Sequence, residues 1–359
     1  MANVNDRTET AIRNTWTDTE VLECVAVRPE IANTATFSFR APSGALFEFD
    51  PGQFITLEIP APSGTVHRTY TISSSPSRPY SIDITAKAQE GSIGTRWMLD
   101  HLKLGMRLKA VGPLGSFTNA SSESTKFLFI SAGSGVTPMM SMTTFLLDKG
   151  CAPDIAFVHC ARKPSELVFR QSLEKLANKG SGLDVSFVVT APDAALNEAW
   201  NGHQGRLTPA MLEQIAPDYL DRDVYCCGPE SFMRSVEDAL ITLGHDMSRY
   251  HEESFGAPAR NAAETTASTQ TDTTTEVHFE VADRRHPCAP SDTVLAAAKE
   301  AGISIPTGCT FGLCGTCKVK KTAGDVHMAH NGGISEQDIA AGYILACCSK
   351  PLGKVSIQL

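Results

Sequence analysis

Three cysteines near the C-terminus, Cys309, Cys314 and Cys317, are spaced C-x4-C-x2-C, and a fourth, Cys347, follows well downstream. That is the ligand spacing of plant-type [2Fe–2S] clusters. Such a cluster carries one electron at a time. The spacing therefore commits this part of the chain to a loop wrapped around iron, and the protein to moving electrons. The loop reads Gly308-Cys309-Thr310-Phe311-Gly312-Leu313-Cys314-Gly315-Thr316-Cys317. Its small residues let the backbone wrap closely and turn N–H groups toward sulfur. A zinc site is the competing reading, but zinc ligands usually come as two short C-x2-C pairs, and here the fourth cysteine stands apart.

A length of 359 residues leaves room for two or three domains. The eleven cysteines are odd in number, and the polar, threonine-rich start (1–20) reads as neither secretory leader nor anchor. Together these point to a reducing cytoplasm and to redox or metal use of thiols rather than disulfides. Cys24, Cys151, Cys160 and Cys288 belong to no pattern and read as small buried hydrophobes. No apolar run approaches a membrane span. The net charge of −9 argues against non-specific nucleic-acid binding. Its excess acid lies in residues 1–275, with 32 acidic and 23 basic side chains, whereas 276–359 carries eight of each. A partner docking on the C-terminal part need not be steered by a strongly acidic face.

The texture of the chain predicts three folded units. A tail over 1–19 is expected to be disordered. Residues 20–120 hold short β-prone runs between Pro and Gly (VLECVAV, TATFSF, QFITLEI, RTYTIS, YSIDITA, RLKAVG), the pattern of an antiparallel β-barrel. Residues 121–256 alternate strands with amphipathic helices: KFLFIS, a Gly turn and a helix over 139–149, DIAFVHC with a helix over 166–177, LDVSFVV, then DVYCCG with a helix over 229–243. That rhythm predicts a doubly wound α/β domain. Residues 257–275 are small and polar and read as a linker. In 276–359 an alternating strand, a helix opened by Ser291 and closed by Gly302, the cysteine loop, a capping box at Ser335 and a final strand suit a small α+β domain of β-grasp type.

The run Arg68-Thr69-Tyr70-Thr71-Ile72-Ser73, preceded by Pro51-Gly52-Gln53-Phe54, resembles the flavin-binding signature of the ferredoxin–NADP⁺ reductase superfamily. The resemblance implies that Tyr70 stacks on the flavin ring, Arg68 meets the flavin phosphates, and Thr71 or Ser73 hydrogen-bonds near its reactive nitrogen. A flat aromatic face suits a flat ring, and a guanidinium suits phosphate. Gly91, Gly94 and Thr95 would form the phosphate turn, with Thr95 where the family usually has Ser. FAD is the implied flavin, with FMN as the alternative. Gly133, Gly135, Thr137 and Pro138 resemble the family's pyridine-nucleotide turn, although the third Gly of the dinucleotide fingerprint is missing. Cys227-Gly228-Pro229 resembles the signature in which Cys lies beside the nicotinamide, and Glu253-Ser254-Phe255 the segment that brings an acid and an aromatic to the flavin. Arg162 could pair a 2′-phosphate or be solvated; NADH is expected over NADPH. Ala346-Cys347-Cys348-Ser349-Lys350-Pro351 resembles the fourth-ligand segment of plant-type ferredoxins. There the ligand stands four residues before proline, which points to Cys347 rather than Cys348.

In the order barrel, nucleotide domain, ferredoxin domain, these motifs resemble flavin/[2Fe–2S] oxidoreductases with a C-terminal plant-type ferredoxin domain. The implied activity is hydride transfer from NADH to flavin, then one-electron transfer through the cluster to a protein partner. The implied partner is the terminal component of a Rieske-type oxygenase, such as one demethylating glycine betaine or another quaternary amine. Another acceptor, such as a hybrid-cluster protein or a diiron or membrane hydroxylase, is the alternative, and a non-enzymatic electron carrier or redox sensor is the rival of another class. The chain is expected to act as a monomer.

Overall fold

The computed structural model describes residues 14–62, 64–150, 153–179, 182–191, 200–255, 275–289, 291–308, 310, 312, 314–330 and 333–359. Six strands form the first sheet: β1 (Leu22–Ile31), β2 (Thr34–Arg40), β3 (Phe54–Ala61), β4 (Gly64–Thr71), β5 (Ile82–Lys87) and β6 (Arg107–Leu114). All their pairings are antiparallel, in the order β4-β3-β6-β1-β2-β5. A bridge between Ile72, just past β4, and Ile84 in β5 joins the two edges and closes the barrel. Alternation puts Phe37, Phe39, Ile55, Leu57, Ile59, Ile82 and Ile84 in its core. Helix α1 (Ile93–His101) packs against β3 and β4.

Disorder does not extend through the whole of the expected tail. Thr15 bridges Leu46, and Trp16 is buried against Phe47 with ring centroids 5.5 Å apart. Its indole N–H donates to Glu20 O at 3.1 Å. Burying an indole of roughly 200 Å² contributes about 5 kcal/mol of transfer free energy, enough to hold a short polar segment down. The rest of the tail (1–13) lies outside the described residues.

The second sheet holds β7 (Lys126–Ala132), β8 (Asp154–Ala161), β9 (Leu183–Val189), β10 (His203–Gln204), β11 (Asp223–Cys227) and β12 (Tyr250–Glu253), all parallel, in the order β10-β9-β8-β7-β11-β12. Helices α2 (Val136–Asp148), α3 (Arg170–Ala177), α4 (Pro209–Ile215) and α5 (Glu230–Thr242) make the crossovers. Strand order reverses between β7 and β11, the place where doubly wound sheets open a ligand crevice. The helix expected over 166–177 breaks in two: a 3-10 turn (Pro164–Glu166) precedes α3, separated from it by Phe169 in the left-handed region (φ 61°).

The third sheet holds β13 (Glu276–Phe279), β14 (Arg284–Pro287), β15 (Lys318–Met328), β16 (Tyr343–Leu345) and β17 (Ser349–Ile357), in the mixed order β14-β13-β17-β15-β16. Helix α6 (Val294–Glu300) lies across it, and short α7 (Glu336–Ala340) precedes β16. Thr293, not Ser291, caps α6, its hydroxyl accepting from Ala296 N; Ser335 caps α7 as expected. The expected linker, except Thr275, lies outside the described residues. No helix among the described residues is long and apolar enough to cross a membrane.

Candidate functional site

A cavity of about 310 Å³ lies where the three sheets meet. Arg68, Thr69, Tyr70 and Thr71 line it from β4, Thr95 from α1, Ser134 from the turn before α2 and Thr137 from its start, Glu253 and Phe255 from β12 and beyond, and Gly308 from the cysteine loop. The Tyr70 hydroxyl shares a 2.9 Å hydrogen bond with Thr95 Oγ1, which fixes the ring beside the cavity. Burial pushes its phenol up to about 12, so it stays neutral. Arg68 has no carboxylate partner among the described residues; its Nη1 donates to His67 O at 2.7 Å. A Cβ at Gly94 would stand 3.1 Å from Arg68 Cγ and 2.9 Å from Val66 Cγ2. The first turn of α1 therefore rests directly on the arginine stem. At that helix start the buried Ser92 Oγ has no hydrogen-bond partner and does not cap the helix, whose first N–H groups have no partner within the helix, as at anion sites. A cation without a protein anion, an orphan hydroxyl and a helix N-terminus together fit a flavin phosphate.

Glu253 is the other orphan. Only 6% exposed, its Oε2 has no partner, and burial raises its carboxyl to about 8. Cys227 pairs with it across β11 and β12 and is fully buried; burial first, then the Glu253 charge, push its thiol well above the ordinary range. Among the residues expected at the flavin, Ser73, Gly91, Gly94 and Cys227 do not line the cavity. Ser73 instead donates to Asp83 O at 3.2 Å and contacts Thr85 Oγ1 at 3.0 Å.

A second cleft, of about 650 Å³, opens beside the first at the strand-order reversal. Gly133, Ser134, Arg162, Gly228, Pro229 and Phe232 line it, and Lys87, Gln89, Ser134 and Phe255 border both spaces. The glycines are there for distinct reasons. Gly133 has φ +57°, which admits side chains only with strain. A Cβ on Gly135 would stand 2.1 Å from Cys227 O. The loops after β7 and β11 are thus locked together, with Thr137 tied back by a 3.0 Å bond to Ser134 O and Pro138 buried behind it. Arg162 is exposed and bonded to Glu166 Oε2 at 3.2 Å. Gly91 borders a further groove along α1.

Cys314, Cys317 and Cys347 are buried, at 1%, 3% and 7% exposure; Cys309 lies outside the described residues. No three metal-binding side chains converge among the described residues. The surroundings nonetheless fit a cluster held through thiolate. Thr316 Oγ1 donates to Cys314 Sγ at 3.1 Å, and a Cβ on Gly308 would stand 2.9 Å from that sulfur, so the chain passes as close as a backbone can. Cys317 and Cys347 share the third unit's core, whereas the Cys348 thiol donates to Leu345 O at 3.7 Å. Gly308 also lies 3.2 Å, by its would-be Cβ, from Thr56 Cγ2 of the barrel, and Cys314 packs against Phe54 and Leu114. Phe54 and Gly308 both line the 310 Å³ cavity. The cysteine loop and the flavin cavity therefore share a wall. The role of Phe54 at this contact was not foreseen, and Lys87 and Gln89 carry no motif that could have marked them.

Three family models divide the chain in the same order: an oxidoreductase FAD-binding domain over residues 25–119, an oxidoreductase NAD-binding domain over 129–238, and a 2Fe-2S iron-sulfur cluster binding domain over 278–352. The stachydrine N-demethylase reductase subunit of Rhizobium meliloti is 54% identical over 96% of this chain and 97% of its own. The chain belongs to the family of monooxygenase reductase subunits. The glycine betaine monooxygenase reductase subunit of Pseudomonas aeruginosa is 42% identical, with 96% of each chain covered. The fold matches that of phthalate dioxygenase reductase, at a TM-score of 0.60 and 20% identity over 96% of this chain and all of that one. As a member of this family the chain is an oxidoreductase with FAD, NAD and 2Fe-2S domains that serves a separate oxygenase component.

Proposed function

We propose that this chain draws electrons from NADH and delivers them singly to a Rieske-type oxygenase that demethylates a quaternary ammonium carboxylate. Stachydrine and glycine betaine, the compounds named for its relatives, are both of that class. When bound, the flavin takes the two-electron hydride and the [2Fe–2S] cluster passes electrons on one at a time.

The chain's own residues supply position and environment. Arg68 and the α1 N-terminus would hold the flavin phosphates, and Tyr70, fixed by Thr95, would pack on the ring. Gly133, Gly135 and Gly228 let the nucleotide backbone approach, and Phe255 stands between the two spaces. Excluding water there strengthens each polar contact and orients the donor. The exposed, ion-paired Arg162 offers no buried cation for a 2′-phosphate, which supports NADH. Cys314, Cys317, Cys347 and Cys309 would ligate the cluster, and one chain carries every centre, as a monomer can.

The observation that carries the reading is the single cavity lined by Tyr70, Glu253 and Gly308, one from each unit. The test is an anaerobic NADH titration followed in the visible spectrum. Loss of flavin and cluster absorbance together is expected. A bleached flavin beside an unchanged cluster would remove the proposed electron order.

A further inference from the structure

Oxidation of one NADH to NAD⁺ yields two electrons and one proton. The electrons leave toward the cysteine loop, and the proton has to leave a cavity walled by three units. A row of hydroxyls leads out of it. Thr85 borders the cavity, 7% exposed. Its Oγ1 lies 2.8 Å from Thr36 Oγ1, its register partner across β2 and β5. Thr36, 1% exposed, donates to Glu30 Oε1 at 2.6 Å. Glu30 sits where the β1–β2 register slips between Pro29 and Ile31, an irregularity of the kind that re-aims a side chain. Phe37 and Ile84, their sequence neighbours, fill the barrel core, so Thr36 and Thr85 stand on its outer face. Ile31 of β1 packs against the core of the nucleotide unit, which covers this side of the barrel.

Each hydroxyl has one hydrogen, which fixes the direction of the row. Because Thr36 donates to Glu30, the Thr36–Thr85 bond must be donated by Thr85. Ser73, 3.0 Å away, can reach Thr85 Oγ1 only with the hydrogen it also directs at Asp83 O, and Thr85 keeps a lone pair for a donor in the cavity. Every hydrogen points away from the cavity.

We propose that Thr85, Thr36 and Glu30 form the proton exit of the flavin cavity. A proton arriving from the cavity bonds to Thr85 Oγ1 as Thr85 passes its own hydrogen to Thr36, and Thr36 passes its hydrogen to the Glu30 carboxylate. Glu30, half-buried, releases that proton to water, and the hydroxyls rotate back. Burial raises the Glu30 carboxyl, the Thr36 bond and the Arg28 charge lower it, and Asp83 raises it, so the group can hold a proton in transit. Arg28 and Asp83 are the charged groups acting on Glu30. They are clamped to each other at 2.6 Å, with Ser38 between them on β2, and leave Glu30 to Thr36.

The inference rests on the NADH-oxidising reading above. Flavin- and cluster-loaded protein is mixed in stopped flow with NADH and ferricyanide, in weak buffer with a pH-indicator dye. Two ferricyanides are reduced and one proton appears per NADH. Thr36→Val, which keeps the shape and removes the hydroxyl, is expected to slow proton appearance by about tenfold or more, at or below the 10²–10⁴-fold typical of lost acid–base assistance. A solvent deuterium isotope effect should emerge with it. Glu30→Gln should match Thr36→Val, and Thr36→Ser should restore the wild-type trace. An infrared difference band for a transiently protonated carboxyl should vanish in Glu30→Gln. Wild-type proton release in both blocking variants overturns the proposal. So does slow release that Thr36→Ser fails to restore, since that marks a packing defect. Wild-type protein that cannot oxidise NADH overturns the functional reading along with it.

Discussion

Replacing Glu253 with Gln should stabilise the protein, and by an amount that depends on pH. Burial raises this carboxyl from 4.5 to about 8. At ~1.4 kcal/mol per tenfold, ionising it in the folded state costs about 5 kcal/mol more than in the unfolded chain. Between those two values the folded state holds a proton that the unfolded state has lost, so stability falls as pH rises. Below pH 4.5 both states are protonated, and the variant should match the wild type. At pH 7 the accumulated cost is about 3 kcal/mol, and above pH 8 it levels near its full value. Gln removes it while keeping the size, and leaves a polar group no worse partnered than the orphan Oε2. Urea unfolding of both proteins by circular dichroism, at unit steps from pH 5 to 9, gives the difference for the transition that includes β12. A constant offset between the two curves would refute the reasoning, because it would mean that Glu253 titrates alike in both states.

Three further outcomes follow from other contacts. Cys314→Ser should abolish electron delivery to a one-electron protein acceptor while flavin-dependent ferricyanide reduction by NADH persists; loss of both in a flavin-replete variant would contradict the division of labour. Gly135→Ala drives a Cβ to within 2.1 Å of Cys227 O, so it should cost about 1–3 kcal/mol in urea unfolding and raise the KM for NADH, with flavin content unchanged. Arg68→Ala should raise the flavin dissociation constant roughly tenfold or more, read by equilibrium dialysis, through loss of a charge-assisted contact of about 1.5–3 kcal/mol.

Much of this architecture was legible because each unit writes a different period into the chain. All six barrel runs became strands, since alternating residues such as Phe37 and Phe39 must fill one core. The βαβ rhythm placed both glycine turns at the strand-order reversal. Local chemistry was read less well. Thr293 displaced Ser291 as cap because its hydroxyl, not that of Ser291, reaches Ala296 N, and Phe169 broke a periodic helix by taking a left-handed conformation. Trp16 escaped notice because its threonine-rich neighbours mask a single large apolar residue. The outer residues could not be found at all: Lys87, Gln89 and Thr85 join the cavity wall, and Thr36 meets Thr85 across β2 and β5, only once the chain has folded, and nothing in their immediate sequence marks the encounter.

Among the described residues, Phe54, Leu114 and Cys314 form the apolar part of the contact between cysteine loop and barrel, with Gly308 against Thr56. That contact hides the very edge of the loop that nears the flavin cavity. An outside acceptor that needs that edge cannot have it while the barrel does. Loading and unloading would then be alternating events on one surface.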